Sequence, residues 1–479
     1  MSKILLVCSS FEENTLSKNY SNKEWVQNEI DKSHYPIGIS YLHSYIENQG
    51  HEVKTLFLNT YSYEICYDEV KKAVSEFKPD IVGLQILTQN RVSSYHLIEY
   101  LRKHHPEIHL VVGGIHATAM YKQLIEKFPY LVIVIGEGEL TFSELIKTLE
   151  SKTTLEDIDG IVFSRNGQLI QTKPRPLIHD LDTLPFPKHE LFFTPNRTHS
   201  CVLTTRGCPF RCSFCALEHI TKRMHRKRSV KNVIEEIEFL KNKFPQMKTV
   251  WLHDDTFFLD NQRVIEFCNE VIKRKLNLEL EFVASARIKP VCGEMVKKLE
   301  EANFVKVLFG LESGTDEILL RAHKNITQKD TIETFKLFAK TNIEITAFLI
   351  VGLPGETQET IYNTANFIKK LQRINYLYYN DIGVLMVYPG TEVCRFAVEA
   401  GQITDDFWLT DEFVPFYEVE HSKEKLFEFK KILLDHISLG RINTWSGFQK
   451  QWSMLPHIAK YLWGRRDKVA QKVGVGAHK

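Results

Sequence analysis

The feature that most constrains the fold of this 479-residue chain is a repeated alternation of short apolar runs with helical patterns. In the first 150 residues the runs predict five strands: Lys3–Cys8, His51–Leu58, Asp80–Leu87, Ile108–Gly113 and Leu131–Ile135. Strands in this rhythm form a parallel sheet covered by helices on both faces. We predict an α/β, doubly wound, flavodoxin-like (Rossmann-type) domain over residues 1–150, with its ligand site beyond the strands' carboxyl ends.

The rhythm stops between residues 151 and 199. Ile161–Arg165 and Gln168–Thr172 flank Asn166-Gly167, a dipeptide typical of a two-residue hairpin turn. The prolines that follow disfavour helix, so we predict a linker with one hairpin.

A second series of strands and helices occupies residues 200–390. The predicted strands are Cys201–Thr205, Thr249–His253, Glu279–Ala284, Val305–Leu311, Glu344–Val351 and Asp381–Tyr388. Six units are too few for the eight-stranded barrel, so we predict a partial barrel. We predict that residues 391–479 form a helical cap on the substrate side.

Composition excludes several classes of protein. A net charge of +1 argues against a nucleic-acid binder, which is usually basic. No run approaches the ~18 apolar residues of a membrane span. Nine cysteines without a secretion signal indicate a reducing compartment, so we expect a cytoplasmic protein with free or metal-bound thiols.

Three cysteines lie within eight residues, in Cys208-Pro-Phe-Arg-Cys212-Ser-Phe-Cys215. Three thiolates on one short loop can hold three irons of a cubic iron–sulfur cluster, which leaves the fourth iron open to a small molecule. A structural zinc ion is the alternative, and it would need a fourth ligand. Cys201, His219 and His225 are the candidates for that ligand.

This spacing, with the aromatic Phe214 before the last cysteine, resembles the signature of the radical S-adenosylmethionine (SAM) superfamily. The resemblance implies a (β/α)6 partial barrel and a [4Fe-4S] cluster held by Cys208, Cys212 and Cys215. In that family SAM chelates the open iron. An electron from the cluster then cleaves SAM and produces a 5′-deoxyadenosyl radical, which abstracts hydrogen from a substrate.

The resemblance also implies a set of SAM contacts that follow successive barrel strands: Phe214, Asp254, Asp255, Ser285, Arg287, Glu312, Gly352 and Gly355. Asp254 and Asp255 have an alternative role as caps of a helix that starts near Asn261. Arg287 suits a bidentate pair with the SAM carboxylate, and a surface ion pair is its alternative.

The first domain resembles the cobalamin-binding domain of one radical SAM branch in Pro36–Leu42 and Gly50–Val53. The implied cobalamin contacts lie at strand ends: Gln85, Thr88, Gly113, Gly114, Gly136, Glu137 and Gly138. Glycines there permit a close approach of the backbone to a ring. The loop Cys8–Asn14 lacks the Asp-x-His-x-x-Gly motif, so we expect no histidine from that motif on the cobalt. Without the resemblance, a flavin or nucleotide would suit these strand ends as well.

Together these features predict a cobalamin-dependent radical SAM enzyme that methylates an unactivated carbon through methylcobalamin. The same cofactors would serve a rearrangement, a ring contraction or an oxidative cyclisation. Methylthiolation and a non-enzymatic, zinc-stabilised corrinoid or nucleotide module are further alternatives. We expect a small-molecule substrate, such as a lipid or natural-product intermediate, and an electron donor such as flavodoxin or ferredoxin, but no nucleic acid.

The end of the chain is rich in tryptophan and basic residues, with Trp445, Trp452 and Trp463 in the last 35 residues. We interpret it as a helical cap packed on the barrel, and peripheral contact with a membrane is the alternative.

Metal analysis after anaerobic purification from cobalamin-fed cells distinguishes an iron–sulfur cluster from a zinc ion at the cysteine motif. We expect about four irons per chain, with sulfide, as for a cubic cluster, together with cobalt. One zinc per chain without iron would contradict the cluster, and iron without cobalt would contradict the cobalamin assignment.

Overall fold

A computed structural model describes residues 1–11, 36–375 and 378–442 of the chain. The first domain is built on five parallel strands in the order β2-β1-β3-β4-β5. This is the flavodoxin-like order, so the predicted fold class is confirmed. The strands are β1 (Lys3–Cys8), β2 (Glu52–Phe57), β3 (Ile81–Gln85), β4 (His109–Gly113) and β5 (Val132–Val134).

Within the described part of this domain, six helices accompany the sheet: α1 (Ile37–Glu47), α2 (Tyr63–Phe77), α3 (Arg91–His104), α4 (Ile115–Ala119), α5 (Tyr121–Lys127) and α6 (Glu139–Ser151). The pattern over Ala117–Lys127 predicts one helix, but the structure has two. The chain leaves helical geometry at Met120, where φ is −113° and ψ is 19°.

The hairpin predicted in the linker extends the first sheet. β6 (Ile161–Arg165) pairs antiparallel with β5, and β7 (Gln168–Gln171) pairs antiparallel with β6. Asn166 and Gly167 form its turn with φ values of 53° and 78°. Both residues of a type I′ turn need positive φ, which is why this dipeptide specifies the hairpin.

The second domain has a six-stranded sheet with parallel neighbours, β15-β14-β13-β12-β11-β8, as a partial barrel requires. Its strands are β8 (His199–Val202), β11 (Thr249–Leu252), β12 (Glu281–Ala286), β13 (Phe304–Glu312), β14 (Glu344–Val351) and β15 (Tyr378–Val384). A short antiparallel pair, β9 (Thr205–Arg206) and β10 (Arg226–Lys227), lies after β8.

The helices of the second domain are α7 (Glu218–Thr221), α8 (Val230–Lys243), α9 (Asn261–Lys273), α10 (Gly293–Glu301), α11 (Asp316–Arg321), α12 (Gln328–Phe338) and α13 (Gln358–Ile374). Side chains before several of them fix where they begin. Thr327 and Thr357 each form a capping box at the start of α12 and α13. A capping box satisfies backbone N–H groups that have no partner within the helix.

The C-terminal region continues with α14 (Glu392–Glu399), a 3-10 turn (Asp405–Leu409) and α15 (Lys423–Ile442). α15 packs beside α13, whereas the 3-10 turn packs on the first domain. Trp408 is 2% exposed, its carbonyl accepts a hydrogen bond from the Tyr95 hydroxyl at 3.2 Å, and its ring faces the Arg91 guanidinium. Trp408 belongs to the segment that the sequence predicts as a substrate-side cap, and the structure shows that it ties this segment to the first domain.

Trp445, Trp452 and Trp463 lie outside the described residues. Within the described ranges, no helix has the length and apolar character needed to cross a bilayer.

We expect Trp408→Ala to lower the free energy of unfolding by about 3–5 kcal/mol, because it leaves a cavity between the domains. Phe413→Ala is the control, since Phe413 is 54% exposed and its loss should change stability by less than about 0.5 kcal/mol. Denaturant unfolding measures both. Equal effects of the two substitutions would contradict the role of Trp408 as a tie.

A cavity between two cofactor-type loops

A cavity of about 420 Å³ lies between the two domains. The first domain lines it with α1 and with the carboxyl ends of β1, β3, β4 and β5. The second domain lines it with Leu203, residues 205–207, Leu217, Ile220, Thr221, His253 and Asp255. The lining is mostly apolar and includes Leu42, Val111 and Phe142. The cavity therefore sits where the topology places a ligand, and both domains contribute to it.

Six of the seven predicted cobalamin residues line this cavity: Gln85, Gly113, Gly114, Gly136, Glu137 and Gly138. The seventh, Thr88, is 3% exposed, and its hydroxyl lies 3.2 Å from His116 Nδ1. Thr88 therefore lies outside the cavity lining and contacts His116 of α4.

The glycines fit a flat ligand that approaches the backbone. Gly114 has a φ of +102°, and a Cβ there would lie 2.7 Å from the Ile86 carbonyl oxygen. Gly136 has a φ of +80° and faces open space. Gln85 Oε1 is buried and has no hydrogen-bond partner within the described residues. An orphaned amide oxygen and open backbone are what a large amide-bearing ring such as cobalamin can satisfy.

Glu137 has a different role from the one that the sequence suggests. Arg226 binds its carboxylate with both terminal nitrogens, at 2.7 and 2.9 Å, and Arg206 Nη1 lies 3.0 Å from Oε1. The Ile178 backbone N–H also donates to it. Burial favours the neutral acid, but the hydrogen bond from Arg226 and the charge of Arg206 hold the pKa of Glu137 below its usual value. The carboxylate is saturated by protein donors and ties the two domains together.

The three cysteines follow β9, on a loop whose start is held tightly. Gly207 has a φ of +93°, and a Cβ there would lie 2.1 Å from the Met224 carbonyl oxygen. Burial raises the pKa of the Cys208 thiol and raises that of Cys215 to about 11. The thiolate form therefore needs a positive partner, which a metal provides.

The zinc alternative fits this loop poorly. In the part of the chain that the structure describes, no three Cys, His, Asp or Glu side chains are grouped as ligands of one metal ion. Cys201 is fully buried with Ile37 and Phe192 between the domains, and the His219 ring packs against Gly390. In a cubic cluster each thiolate binds a separate iron, so the three sulfurs need not converge on one point. The donor set fits such a cluster better than a zinc ion.

Asp254 and Asp255 anchor the cysteine loop to the end of β11. Asp254 accepts from the Thr204 N–H and hydroxyl, both at 2.6 Å, and from the Thr205 N–H at 3.1 Å. The Gly207 N–H donates to Asp255 Oδ2 at 2.9 Å. The alternative of helix capping is wrong, because Asp260 caps α9.

Asp254 and Asp255 differ in how many carboxylate oxygens already accept hydrogen bonds from the protein. Asp254 is engaged through both oxygens, whereas Asp255 uses one oxygen and lines the cavity. Burial, together with the charge of Asp254, raises the pKa of Asp255 to about 6. An ammonium group in the cavity would compensate this buried carboxylate, so Asp255 is the better candidate of the pair for the SAM amino group.

Arg287 lies against the cysteine loop. Its Nη1 is 3.5 Å from Cys212 Sγ, and its guanidinium stacks 3.6 Å from the centre of the Phe210 ring. It is 6% exposed, so the alternative of a surface ion pair is wrong. Its Nε is buried without a hydrogen-bond partner within the described residues, which leaves one donor for an anionic ligand.

Glu312 at the end of β13 forms a buried ion pair with Lys324, at 2.6 Å. The Lys324 carbonyl accepts from Arg287 Nη2, so Glu312 is linked to the cysteine loop. Lys324 has no signal in the sequence that assigns it to the site, because it lies outside the predicted strands. Only the packing of the segment after α11 brings it to Glu312.

The remaining predicted SAM residues lie in different surroundings. Phe214 is partly buried against a core to which the first domain, the second domain and the C-terminal region all contribute, and Ser285 is partly exposed within β12. The Gly352 N–H donates to Glu356 Oε2 at 2.6 Å, and the Arg321 side chain covers Gly355. Burial raises the pKa of Glu356 to about 8. Glu356 closes the turn after β14, a role for which the sequence offers only the Gly-Glu pattern.

Comparison with known proteins identifies the two domains. The sequence profile of the radical SAM superfamily matches residues 202–368, and that of the B12 binding domain matches residues 26–146. An uncharacterized methyltransferase of Pyrococcus horikoshii is 30% identical over 369 residues, which are 76% of this chain and 78% of that protein. Cytidylyl-2-hydroxyethylphosphonate methyltransferase of Streptomyces wedmorensis is 24% identical, over 70% of this chain and 72% of its own.

Two solved structures share the fold. The radical SAM methyltransferase TsrM of Kitasatospora setae, with cobalamin and a [4Fe-4S] cluster bound, superposes with a TM-score of 0.66 at 19% identity, over 83% of this chain and 76% of its own. The cobalamin-dependent radical enzyme OxsB superposes with a TM-score of 0.68 at 17% identity, over 84% and 62% of the two chains.

A B12-type domain is set here against a partial barrel that carries a three-cysteine loop, and these two parts define the class of the protein. The chain belongs to the family of cobalamin-dependent radical SAM enzymes. The predictions of the family, of the fold class and of the cofactors that this family uses are therefore confirmed.

We expect Asp254→Asn to lower the iron content of reconstituted protein several-fold. The amide nitrogen cannot accept hydrogen bonds from Thr204 and Thr205, and an unsatisfied buried group costs about 1–3 kcal/mol. Asp260→Asn is the matched control, because asparagine also caps helices well. Iron and sulfide assays measure the effect. Full iron in Asp254→Asn would contradict the anchoring role.

Proposed function

We propose that this enzyme methylates a carbon atom of a small molecule, with SAM and cobalamin as cofactors. The observation that carries the proposal is the shared cavity, whose one wall is the glycine-rich edge of the B12 domain and whose other wall adjoins the cysteine loop. Two of the relatives are named as methyltransferases, which supports methyl transfer as the reaction. Among the alternatives, cyclisation stays open as an outcome of the experiment below.

When bound, the cluster supplies the electron that cleaves SAM, and cobalamin supplies a methyl group. The residues of this chain would position the cofactors and protect them from water. Cys208, Cys212 and Cys215 would ligate three irons, and Arg287 would place positive charge beside the Cys212 sulfur. Asp255 would accept from the SAM ammonium group.

Water exclusion is the second task of the chain, because a carbon radical reacts with whatever reaches it. Apolar side chains from both domains line the cavity, among them Leu6, Leu203 and Ile220. Leu203 and Ile220 flank the cysteine loop, so their apolar side chains would help to keep water away from cofactors bound there. This lining supports an apolar or mixed substrate such as a natural-product or lipid intermediate.

A one-electron donor such as flavodoxin or ferredoxin is proposed as the partner, because the cluster must be reduced for each cleavage of SAM. A reducing, cytoplasmic compartment is proposed for the same reason, since the thiols must stay free to bind iron.

Anaerobic assays with SAM, a chemical reductant and candidate substrates test the function. We expect 5′-deoxyadenosine, S-adenosylhomocysteine and a methylated product from the wild type. Cys212→Ala should lose all three, and Cys292→Ala should retain them, because Cys292 lies before α10 and away from the loop.

The pattern of products distinguishes the remaining possibilities. Deoxyadenosine without S-adenosylhomocysteine, together with an altered substrate, would overturn methylation in favour of cyclisation or rearrangement. Deoxyadenosine formation by Cys212→Ala would overturn the assignment of the cluster.

A further inference from the structure

Four buried charged side chains connect the glycine-rich loop after β5 with the strand pair that precedes the cysteine loop. Arg206 bridges two acids of the first domain, with Nη1 3.0 Å from Glu137 and Nη2 2.7 Å from Glu139. Arg226 binds the same Glu137 carboxylate from the adjacent strand. The four side chains are between 4% and 14% exposed, so water screens these charges weakly.

The acids and Arg206 of this charge network belong to different walls of the cavity, next to the two proposed cofactor sites. Glu137 and Glu139 flank Gly138 at the junction between β5 and α6, here called the Gly136–Glu139 loop, where the glycines are open to a ring-shaped ligand. Arg206 ends β9, two positions before Cys208. Glu137, Glu139 and Arg206 all line the cavity. The charge network therefore connects the wall that faces the corrinoid to the loop that carries the thiols.

The backbone between Arg206 and Cys208 has little freedom to move. Gly207 alone separates them, its N–H is held by Asp255, and a Cβ at Gly207 would clash with the Met224 carbonyl oxygen. Tyr41 of α1 lies under the Arg206 guanidinium, 4.8 Å from ring centre to Cζ. A shift of the Gly136–Glu139 loop must therefore displace either Arg206 or the cysteine loop that follows it.

We propose that Arg206 is a positioning residue through which occupancy of the corrinoid site and occupancy of the cluster site stabilise each other. A ring seated against the glycine loop fixes Glu137 and Glu139, which hold Arg206 and thereby Cys208. A cluster on the cysteine loop fixes the same contacts from the other side. Such coupling is reciprocal, so each cofactor raises the affinity for the other by the same factor. This inference rests on the proposed cofactors, not on the identity of the substrate.

The experiment measures the dissociation constant of cobalamin for the full chain with its cluster and after removal of the cluster by a chelator. The ratio of the two constants is the coupling. We expect at least about a 5-fold ratio in the wild type, within the range usual for coupled sites. Arg206→Gln should reduce the ratio to about one, because the neutral amide cannot bridge two carboxylates.

A merely structural defect would weaken cobalamin binding with and without the cluster and would leave the ratio unchanged. Glu139→Gln is the milder variant, since Arg206 keeps its contact with Glu137, and it should give an intermediate ratio. Arg175→Gln is the matched control. Arg175 pairs with Glu144 of α6 but does not line the cavity, so its loss should leave the wild-type ratio.

The outcomes separate this inference from the proposed function. A ratio of one in wild-type protein that binds both cofactors would overturn the coupling and leave the function intact. An unchanged ratio in Arg206→Gln would overturn the role of Arg206. Wild-type protein that binds no cobalamin would overturn the proposed function, and the coupling with it.

Discussion

The ion pairs around Glu137 are the interaction on which the architecture of the site depends. A buried carboxylate is costly unless every lone pair is satisfied. Here two arginines and a backbone N–H satisfy it, and they come from β9, β10 and the linker. Because these donors belong to the second domain and to the linker, docking of the domains both buries the carboxylate and supplies the partners that compensate its burial. Docking in turn creates the cavity.

Parallel topology explains why the functional loops meet in one place. In each sheet the carboxyl ends of parallel strands share one edge, and the loops that follow them lie together. The two domains present these edges to each other across the cavity. The Gly136–Glu139 loop and the cysteine loop are more than 60 positions apart in the chain, yet both follow strands and both reach this boundary.

Much of the fold follows from the pattern of the sequence. Lys3–Cys8 and Glu344–Val351 are strands with the predicted bounds, since a short run of mostly apolar residues is local information. The break at Met120 and the pairing of the hairpin with β5 escaped prediction, because each depends on packing against distant segments. Trp408 is the clearest case. The sequence around an aromatic residue does not show which surface will bury it, because that surface is formed by residues distant in the chain.

The sequence by itself determined the cysteine spacing, the glycines at strand ends and the order of the two domains. These are matters of chain chemistry and local geometry, because thiols, missing side chains and periodicity are read directly from residue types. Only the tertiary structure decided that Glu137 is an interdomain tie, that Asp254 anchors the cysteine loop, and that Lys324 joins Glu312. The physical reason is that a charged side chain takes its role from the partners that burial forces on it, and those partners are distant in sequence.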